Sequence, residues 1–126
     1  MRSQRYFIAG TPVPQGSMHV FNGRIVHHRS KDLMTWRTLI GEAFGEPPIA
    51  DEAVMVEMTF VLAQPKTVKR LYPHVRPDVD KLVRAVLDAL TGRAYVDDAQ
   101  VVWVHAEKIY GSHPGAWIRV APRYGD

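Results

Sequence analysis

Carboxylates stand at both ends of one short, strongly periodic segment of the chain. Asp78 and Asp80 precede it as an Asp-x-Asp pair, and Asp97 and Asp98 follow it as a second pair. Hard cations such as Mg²⁺ prefer oxygen ligands and take only a few carboxylates, together with water and substrate phosphate. Such a cation polarises a phosphodiester and activates water for its cleavage. The two acidic pairs therefore predict a metal site for cutting nucleic acid.

The segment between the two pairs has the pattern of an amphipathic helix. At about 100° per residue, one polar stripe of about a quarter turn is formed by Asp80, Lys81, Arg84 and Asp88. The opposite side is apolar and is formed by Leu82, Val83, Ala85, Val86, Leu87, Ala89 and Leu90. Pro77 suits the start of a helix and Gly92 its end. Arg84 lies one turn after Asp80, where a cation can neutralise charge that develops on a phosphate.

Each acidic pair also has an ordinary structural explanation. Asp78 is a good N-cap, and Asp80 interacts favourably with the helix dipole. Asp97 and Asp98 suit a turn that leads into the next strand. Taken alone, either pair is better explained in this way. The two pairs together, with a cation on the same stripe, favour the metal site.

The same stretch is similar to the signature of the RusA family of Holliday junction resolvases. That family has the pattern D-x-D-N-x-x-K, then an L/F-D-A-L helix, then D-D-x-Q-V. Here the chain reads D-V-D-K-L-V-R-A-V-L-D-A-L and then V-D-D-A-Q-V-V, and the close match covers roughly residues 76 to 104. The resemblance implies that Asp78, Asp80 and Asp98 are the essential metal-site carboxylates, and it leaves Asp97 as a supporting ligand or a turn former.

Two positions depart from the family pattern. Lys81 replaces the usual Asn, and Arg84 replaces the functional Lys. Arginine keeps the charge but is not deprotonated in practice. We therefore expect Arg84 to stabilise phosphate charge and not to carry a proton, with Lys81 sharing or taking over that role. The implied cofactor is Mg²⁺, with Mn²⁺ as the substitute.

The resemblance also implies partners and a cellular setting. The expected substrate is branched DNA, the four-way junction, and the expected working unit is a homodimer with two sites related by a two-fold axis. Because such genes are often carried by phages and prophages, a role in phage recombination or DNA processing is expected. The 126 residues contain no cysteine and no apolar run of ~18 residues, so we expect a cytoplasmic protein without a membrane span.

Cations surround the predicted site along the chain. The stretch from Gln64 to Arg76 contains no acid, and a basic loop beside carboxylates can hold DNA that the acids alone would repel. A second basic region surrounds a hairpin predicted from Asn22-Gly23. The predicted DNA-binding residues are Lys66, Lys69, Arg70, Arg76, Lys81, Arg24, Arg29 and Lys31. For the loop and the hairpin alike, the alternative is a solvated surface.

Periodicity and turn residues predict the remaining elements. Strands are expected over 6–9, 51–62, 101–110 and 116–121, a hairpin over 18–28, and helices from Ser30 to about Phe44 and after Asp78. This order indicates one α+β domain over residues 1–126, a small mixed or antiparallel sheet packed with two main helices, as in RusA. Trp103 and Trp117 are expected in the core. Lys108 and Glu107 are left between a supporting role at the site, a DNA-facing role and the ordinary surface.

Two other hypotheses compete with the nuclease. A DNA-binding protein of the same fold with weakened or lost activity is suggested by the change from Lys to Arg84. A purely structural set of Asp residues would make the acids caps and turn formers only. Metal-dependent nicking of a synthetic junction separates the first from the nuclease, and the stability of Asp→Asn variants separates the second.

Overall fold

A computed structural model describes residues 3–16, 18–21, 24–27 and 30–124. The elements follow in this order: β1 (Gln4–Ala9), β2 (Met18–Phe21), β3 (Arg24–His27), α1 (Ser30–Ala43), β4 (Val54–Leu62), α2 (Val79–Leu90), a single 3-10 turn (Asp98–Gln100), β5 (Val101–Tyr110) and β6 (Gly115–Pro122). The predicted order of helices and strands is confirmed, with shifts of a few residues at the ends.

One mixed sheet organises the chain, with strand order β1-β6-β4-β5. β6 pairs antiparallel with β1 and β4, whereas β4 and β5 are parallel neighbours. Parallel neighbours need a crossover connection, which here is the helix α2. The predicted α+β class with a small mixed sheet and two helices is confirmed. β2 and β3 form a separate hairpin, whose Asn22-Gly23 turn lies outside the described residues.

The core lies between the sheet and the two helices. α2 buries one side, formed by Leu82, Ala85, Val86, Ala89 and Leu90. β4 alternates buried and half-buried residues, so that Val56, Met58 and Phe60 face the same core. Full burial of a large apolar side chain contributes roughly 1.5–3 kcal/mol. The buried side of α2 therefore fixes its polar stripe toward solvent.

The two tryptophans predicted in the core of the sheet lie elsewhere. Trp117 is 40% exposed and packs under the guanidinium of Arg5, whose Cζ lies 4.4 Å from the ring centroid. The prediction for Trp117 is wrong because Ala116 and Ile118 take the core-facing positions of β6. Trp103 is half-buried and stacks on His105. Among the described residues, neither helix has the length and apolarity needed to cross a bilayer.

Candidate metal and nucleic-acid site

The first acidic pair lies at the N-terminal end of α2. Asp78 takes the N-cap position with extended backbone, φ −70° and ψ 139°, and its carbonyl accepts from the amide of Leu82 at 3.1 Å. Its carboxylate makes no capping hydrogen bond. The side chain is instead half exposed, with Oδ2 3.5 Å from Nζ of Lys81. The capping explanation for the Asp78 side chain is therefore wrong, and its oxygens stay accessible from solvent.

Asp80 and Arg84 continue this exposed surface along α2. Asp80 lies in the first turn, where a negative charge is favoured by the helix dipole, and it is exposed. Arg84 is exposed one turn later on the same side. The N-terminal end of α2 thus presents two carboxylates beside Lys81 and Arg84, as the stripe predicted. The carboxylates can hold a metal ion there, and the neighbouring Lys81 and Arg84 can attract a phosphate to it.

The second acidic pair follows α2 and has a divided role. The Asp97 side chain accepts from the amide of Ala99 at 2.8 Å, and Oε1 of Gln100 accepts from the amide of Asp97 at 2.9 Å. This is a capping box around the 3-10 turn. Nε2 of Gln100 also donates to the carbonyls of Ile49 and Glu52 at 3.0 and 3.1 Å. The sequence left Asp97 as either a supporting metal ligand or a turn former, and its side chain acts as a turn former here.

Asp98 lies beside the C-terminal part of α2. It is exposed and begins the 3-10 turn. The fully buried Tyr95 hydroxyl donates to the carbonyl of Leu87 at 2.7 Å. Burial raises the pKa of Tyr95 well above its ordinary value, and the negative charges of Asp98 and Asp88 raise it further, while a hydrogen bond with Thr91 opposes the shift. The charge of Asp98 is therefore felt at Tyr95.

The helix separates the two acidic pairs within one chain. α2 has 12 residues and so spans roughly 18 Å, with Asp78 and Asp80 at one end and Asp98 near the other. Among the described residues, no group of three His, Cys, Asp or Glu side chains is arranged to hold a metal ion. The exposed carboxylates suit Mg²⁺ in their chemistry. The three predicted ligands, however, are not brought together in a single chain.

The predicted basic loop approaches the first acidic pair. Lys66, Lys69 and Arg76 are exposed along it. The guanidinium of Arg70 already makes one hydrogen bond within the protein, because its Nε donates to the hydroxyl of Tyr110 at 2.8 Å. Gln64 also holds the loop, donating to the carbonyls of Val68 and Arg70 at 3.0 and 3.1 Å. The loop therefore presents its cations from a hydrogen-bonded frame.

The other predicted DNA-binding cations are placed less completely. Lys81 is paired with Asp78, as described above. Lys31 is exposed in the first turn of α1. Arg24 begins β3, where the structure describes the backbone only, and Arg29 lies outside the described residues. The prediction for the hairpin cations stays a prediction.

Two comparisons bear on this arrangement. The sequence pattern of the family described as "Endodeoxyribonuclease RusA" matches residues 10–121 of the chain. The chain belongs to the RusA family. An uncharacterised protein of Bacillus subtilis (strain 168), YqaN, is 30% identical over 134 aligned positions, which cover 92% of this chain and 94% of the relative. RusA membership identifies an endonuclease that acts on branched DNA junctions.

The geometry explains the spacing of the RusA motif D-D-x-Q. Asp97 and Gln100 build the turn and tie it to the loop after α1. Asp98, between them, is left exposed. The first acid and the glutamine of the motif are therefore accounted for by hydrogen bonds of the fold. Within the described part of the chain, no hydrogen bond of this kind engages the side chain of the second acid.

Lys108, whose role the sequence left undecided, contacts the backbone immediately before α2. Nζ of Lys108, on β5, donates to the carbonyls of Val75 and Pro77, both at 2.8 Å. Pro77 directly precedes Asp78. The sequence signal for this contact is the alternation of side chains along β5. Lys108 points to the same side as Ala106, two residues earlier, and Ala106 packs against the core. A lysine on that side of a strand needs internal partners.

A short segment before the hairpin also contacts the polar stripe. The amide of Gln15 donates to the carbonyl of Lys81 at 3.0 Å, and its Nε2 donates to Oδ2 of Asp88. Gly16 has φ +91°, and a Cβ added there would lie 3.3 Å from Nη1 of Arg84. We call residues 13–16 the strap. Sequence reasoning missed it, because the stretch reads only as a proline- and glycine-rich loop.

Proposed function

We propose that this chain is a magnesium-dependent endodeoxyribonuclease that nicks four-way DNA junctions during recombination and repair, with Mn²⁺ as a substitute for Mg²⁺. The observation that carries the proposal is Asp78, an acid in the N-cap position whose carboxylate is not used as a cap. With the exposed Asp80 beside it, the helix start offers oxygens that the fold itself does not require. In a RusA chain, a metal site is the use that fits them.

Asp78 and Asp80 would hold the ion, which would polarise the scissile phosphate and activate water when bound. Mg²⁺ is usually held by one or two carboxylates plus water and substrate phosphate, so a pair of acids is a sufficient start. Arg84 would counter the negative charge that builds on the phosphate, and Lys81 would share that role once DNA competes for its contact with Asp78. Lys66, Lys69 and Arg76 would bind the DNA backbone.

For Asp98 to join this site, a second copy of the chain is required. Asp98 follows the C-terminal end of α2, a helix that spans roughly 18 Å and has Asp78 at its other end. We therefore propose a two-fold homodimer in which Asp98 of one chain completes the site begun by Asp78 and Asp80 of the other. Each dimer would contain two such sites, as suits a substrate with paired strands to cut.

The edge of the sheet supports this arrangement. β5 is an edge strand, and Val102 and Val104 on it are 63% and 42% exposed. Two such edges related by a two-fold axis perpendicular to the strands run antiparallel, as in an antiparallel strand pair. The start of one β5, next to Asp98, would then approach the end of the other, next to Lys108 and Asp78. An unpaired edge with exposed valines is also a surface that proteins generally cover.

Nicking of a labelled four-way junction tests the proposed activity. We expect cleavage in Mg²⁺ or Mn²⁺, none with EDTA, and far less on a plain duplex of the same sequence. Tight junction binding without metal-dependent nicking would instead support the non-catalytic DNA-binding protein. An active protein that cuts junction and duplex at equal rates would contradict the proposed substrate.

Mixing two inactive variants tests the shared site. Asp78→Asn and Asp98→Asn are each expected to lose nicking as pure homodimers. After subunit exchange, a mixed dimer would carry one site with both changes and one site with neither, so nicking should return to about a quarter of the wild-type rate. If each site came from a single chain, every site would carry one change and mixing would restore nothing.

A further inference from the structure

Lys108 is bound to the backbone that leads into the proposed site. Its Nζ lies 2.8 Å from the carbonyl oxygens of Val75 and of Pro77. These two carbonyls flank Arg76, a cation of the basic loop, and the second belongs to the peptide group that joins Pro77 to Asp78. One ammonium thus contacts the chain on both sides of Arg76.

The segment that Lys108 holds makes few backbone hydrogen bonds to the described residues. Residues 71–77 form bends and turns with no helix or strand. Pro73 and Pro77 have no backbone N–H and cannot donate. The amide of His74 donates to the carbonyl of Tyr72 at 2.9 Å, and regular hydrogen bonding resumes at Leu82, which donates to Asp78. Between those points, the Lys108 ammonium supplies the donors for two carbonyls.

The partners of Lys108 are those of an anchor within the protein. The side chain is half-buried, and β5 holds its backbone through the parallel pairing with β4, where Lys108 is opposite Phe60. An ammonium is a compact group with three donors, so it can serve two carbonyls that converge on one point. Lys108 therefore joins the rigid sheet to the start of α2.

We propose that Lys108 is a positioning residue for the site: it fixes the Val75–Pro77 backbone so that the Asp78 carboxylate is held where the cation binds. This inference rests on the proposed function, since it assigns a partner to the same acids. Groups that orient metal ligands affect metal affinity strongly although they do not touch the metal, typically by 10–100-fold. Lys108 does so here through the backbone and not through the carboxylate.

Two variants of the full-length protein test this assignment. Lys108→Met keeps an unbranched side chain, one atom shorter, and removes the ammonium. Lys108→Arg keeps the charge with a planar set of donors. The matched control is Arg119→Met, which removes a half-buried cation from the same sheet. Arg119 contacts Glu57 at 3.3 Å and Ser3 at 3.2 Å, remote from α2.

Amide hydrogen exchange of the metal-free protein gives the first measurement. For Lys108→Met we expect exchange over residues 74–80 to be about tenfold faster or more, with the strands unchanged. Lys108→Arg should show a smaller increase, and Arg119→Met none in this segment. Unchanged exchange in Lys108→Met would overturn the proposal, and Lys108→Arg repeats the comparison if the methionine variant does not fold.

The Mg²⁺ requirement gives the second measurement. The Mg²⁺ concentration for half-maximal junction nicking should rise about tenfold or more in Lys108→Met, while junction binding in EDTA changes less than about twofold. Faster exchange with an unchanged Mg²⁺ requirement would reduce Lys108 to a structural residue and overturn the positioning role. A wild-type protein without metal-dependent nicking would instead overturn the proposed function, and the exchange experiment would still decide whether Lys108 orders the segment.

Discussion

The two acidic pairs look alike in sequence, yet the fold treats them differently. At the start of α2, the carboxylate of Asp78 makes no cap and is half exposed beside Lys81, and Asp80 is exposed in the first turn. After α2, Asp97 is tied into a capping box with Gln100, and only Asp98 is left exposed. One pair therefore offers two available acids, and the other offers one.

The two pairs differ in the residue that lies three positions after the first acid. Asp97 is followed at that spacing by Gln100, whose amide can reach back to the turn and complete a capping box. Asp78 is followed by Lys81, which attracts the carboxylate instead of supporting the cap. An Asp before a helix is thus a better candidate for chemistry when the reciprocal Glu or Gln is missing. The comparison can be tested by removing the acids one at a time.

The largest expected effect is on catalysis. Asp80→Asn and Asp98→Asn should each slow junction nicking by about 10²–10³-fold or more, because each removes a charged oxygen ligand with almost no change of shape. The free energy of unfolding should change by less than about 0.5 kcal/mol, since both side chains are exposed. Single-turnover nicking in Mg²⁺ and urea unfolding measure the two quantities.

Asp88→Asn is the matched control for these changes. Asp88 lies on the same helix stripe but is engaged by Gln15, so its loss should leave nicking close to wild type. If Asp80→Asn cut at the wild-type rate, the start of α2 would have no catalytic use. The difference between the two pairs would then concern stability alone.

The next effect concerns alkaline pH and the end of α2. The pKa of buried Tyr95 is raised in the folded protein above its ordinary 10.0, so the native state keeps a proton that the unfolded chain loses. The unfolding free energy should therefore be unaffected by this group below about pH 10 and fall above it, by up to about 1.4 kcal/mol per pH unit. Urea unfolding from pH 8 to 11.5 measures the slope, and Tyr95→Phe should reduce it. Equal slopes in both proteins would refute this role of Tyr95.

A smaller effect separates the two neighbours in the second pair. Asp97→Ala should lower the unfolding free energy by about 1 kcal/mol, because it removes the side-chain acceptor of the capping box. Asp98→Ala should change it by less than about 0.5 kcal/mol. Thermal or urea unfolding measures both, and Asp97→Asn, which keeps an acceptor, is the control. Equal losses for Asp97→Ala and Asp98→Ala would contradict the division of roles.

The smallest effect is expected at Asp78. A capping acid replaced by Ala would cost about 1 kcal/mol, but Asp78→Ala should cost less than about 0.5 kcal/mol because its side chain makes only an exposed contact with Lys81. Lys81→Met should be equally mild. Urea unfolding at low and moderate salt measures both changes. A loss above about 1 kcal/mol for Asp78→Ala would restore the capping explanation.

Local patterns predicted most elements of this fold. The periodic side of α2 and the alternation in β4 depend on neighbours in sequence, so those elements were predicted correctly. The parallel pairing of β4 with β5 was left open as a mixed or antiparallel sheet, because which strands become neighbours is decided by packing between distant segments. Trp117 was misplaced for the same reason, since the sequence does not say which face of a strand the helices cover.

For the candidate site too, local features could be predicted from the sequence and long-range contacts could not. The exposed acids and the basic loop could be predicted, because residue type and spacing along the chain are enough to identify them. The roles of Lys108 and Gln15 could not, because each depends on a contact across more than 30 residues, Lys108 to Val75 and Gln15 to Asp88. That Asp78 and Asp98 lie at opposite ends of a helix follows from the sequence alone once α2 is accepted.

The strap has a mechanical consequence. Met18, the first residue of β2, follows Gly16 by two positions, so the hairpin is attached directly to a segment whose hydrogen bonds end on α2. Gln15, through its bonds to Lys81 and Asp88, therefore links the chain that leads into the hairpin with the helix that carries the acids.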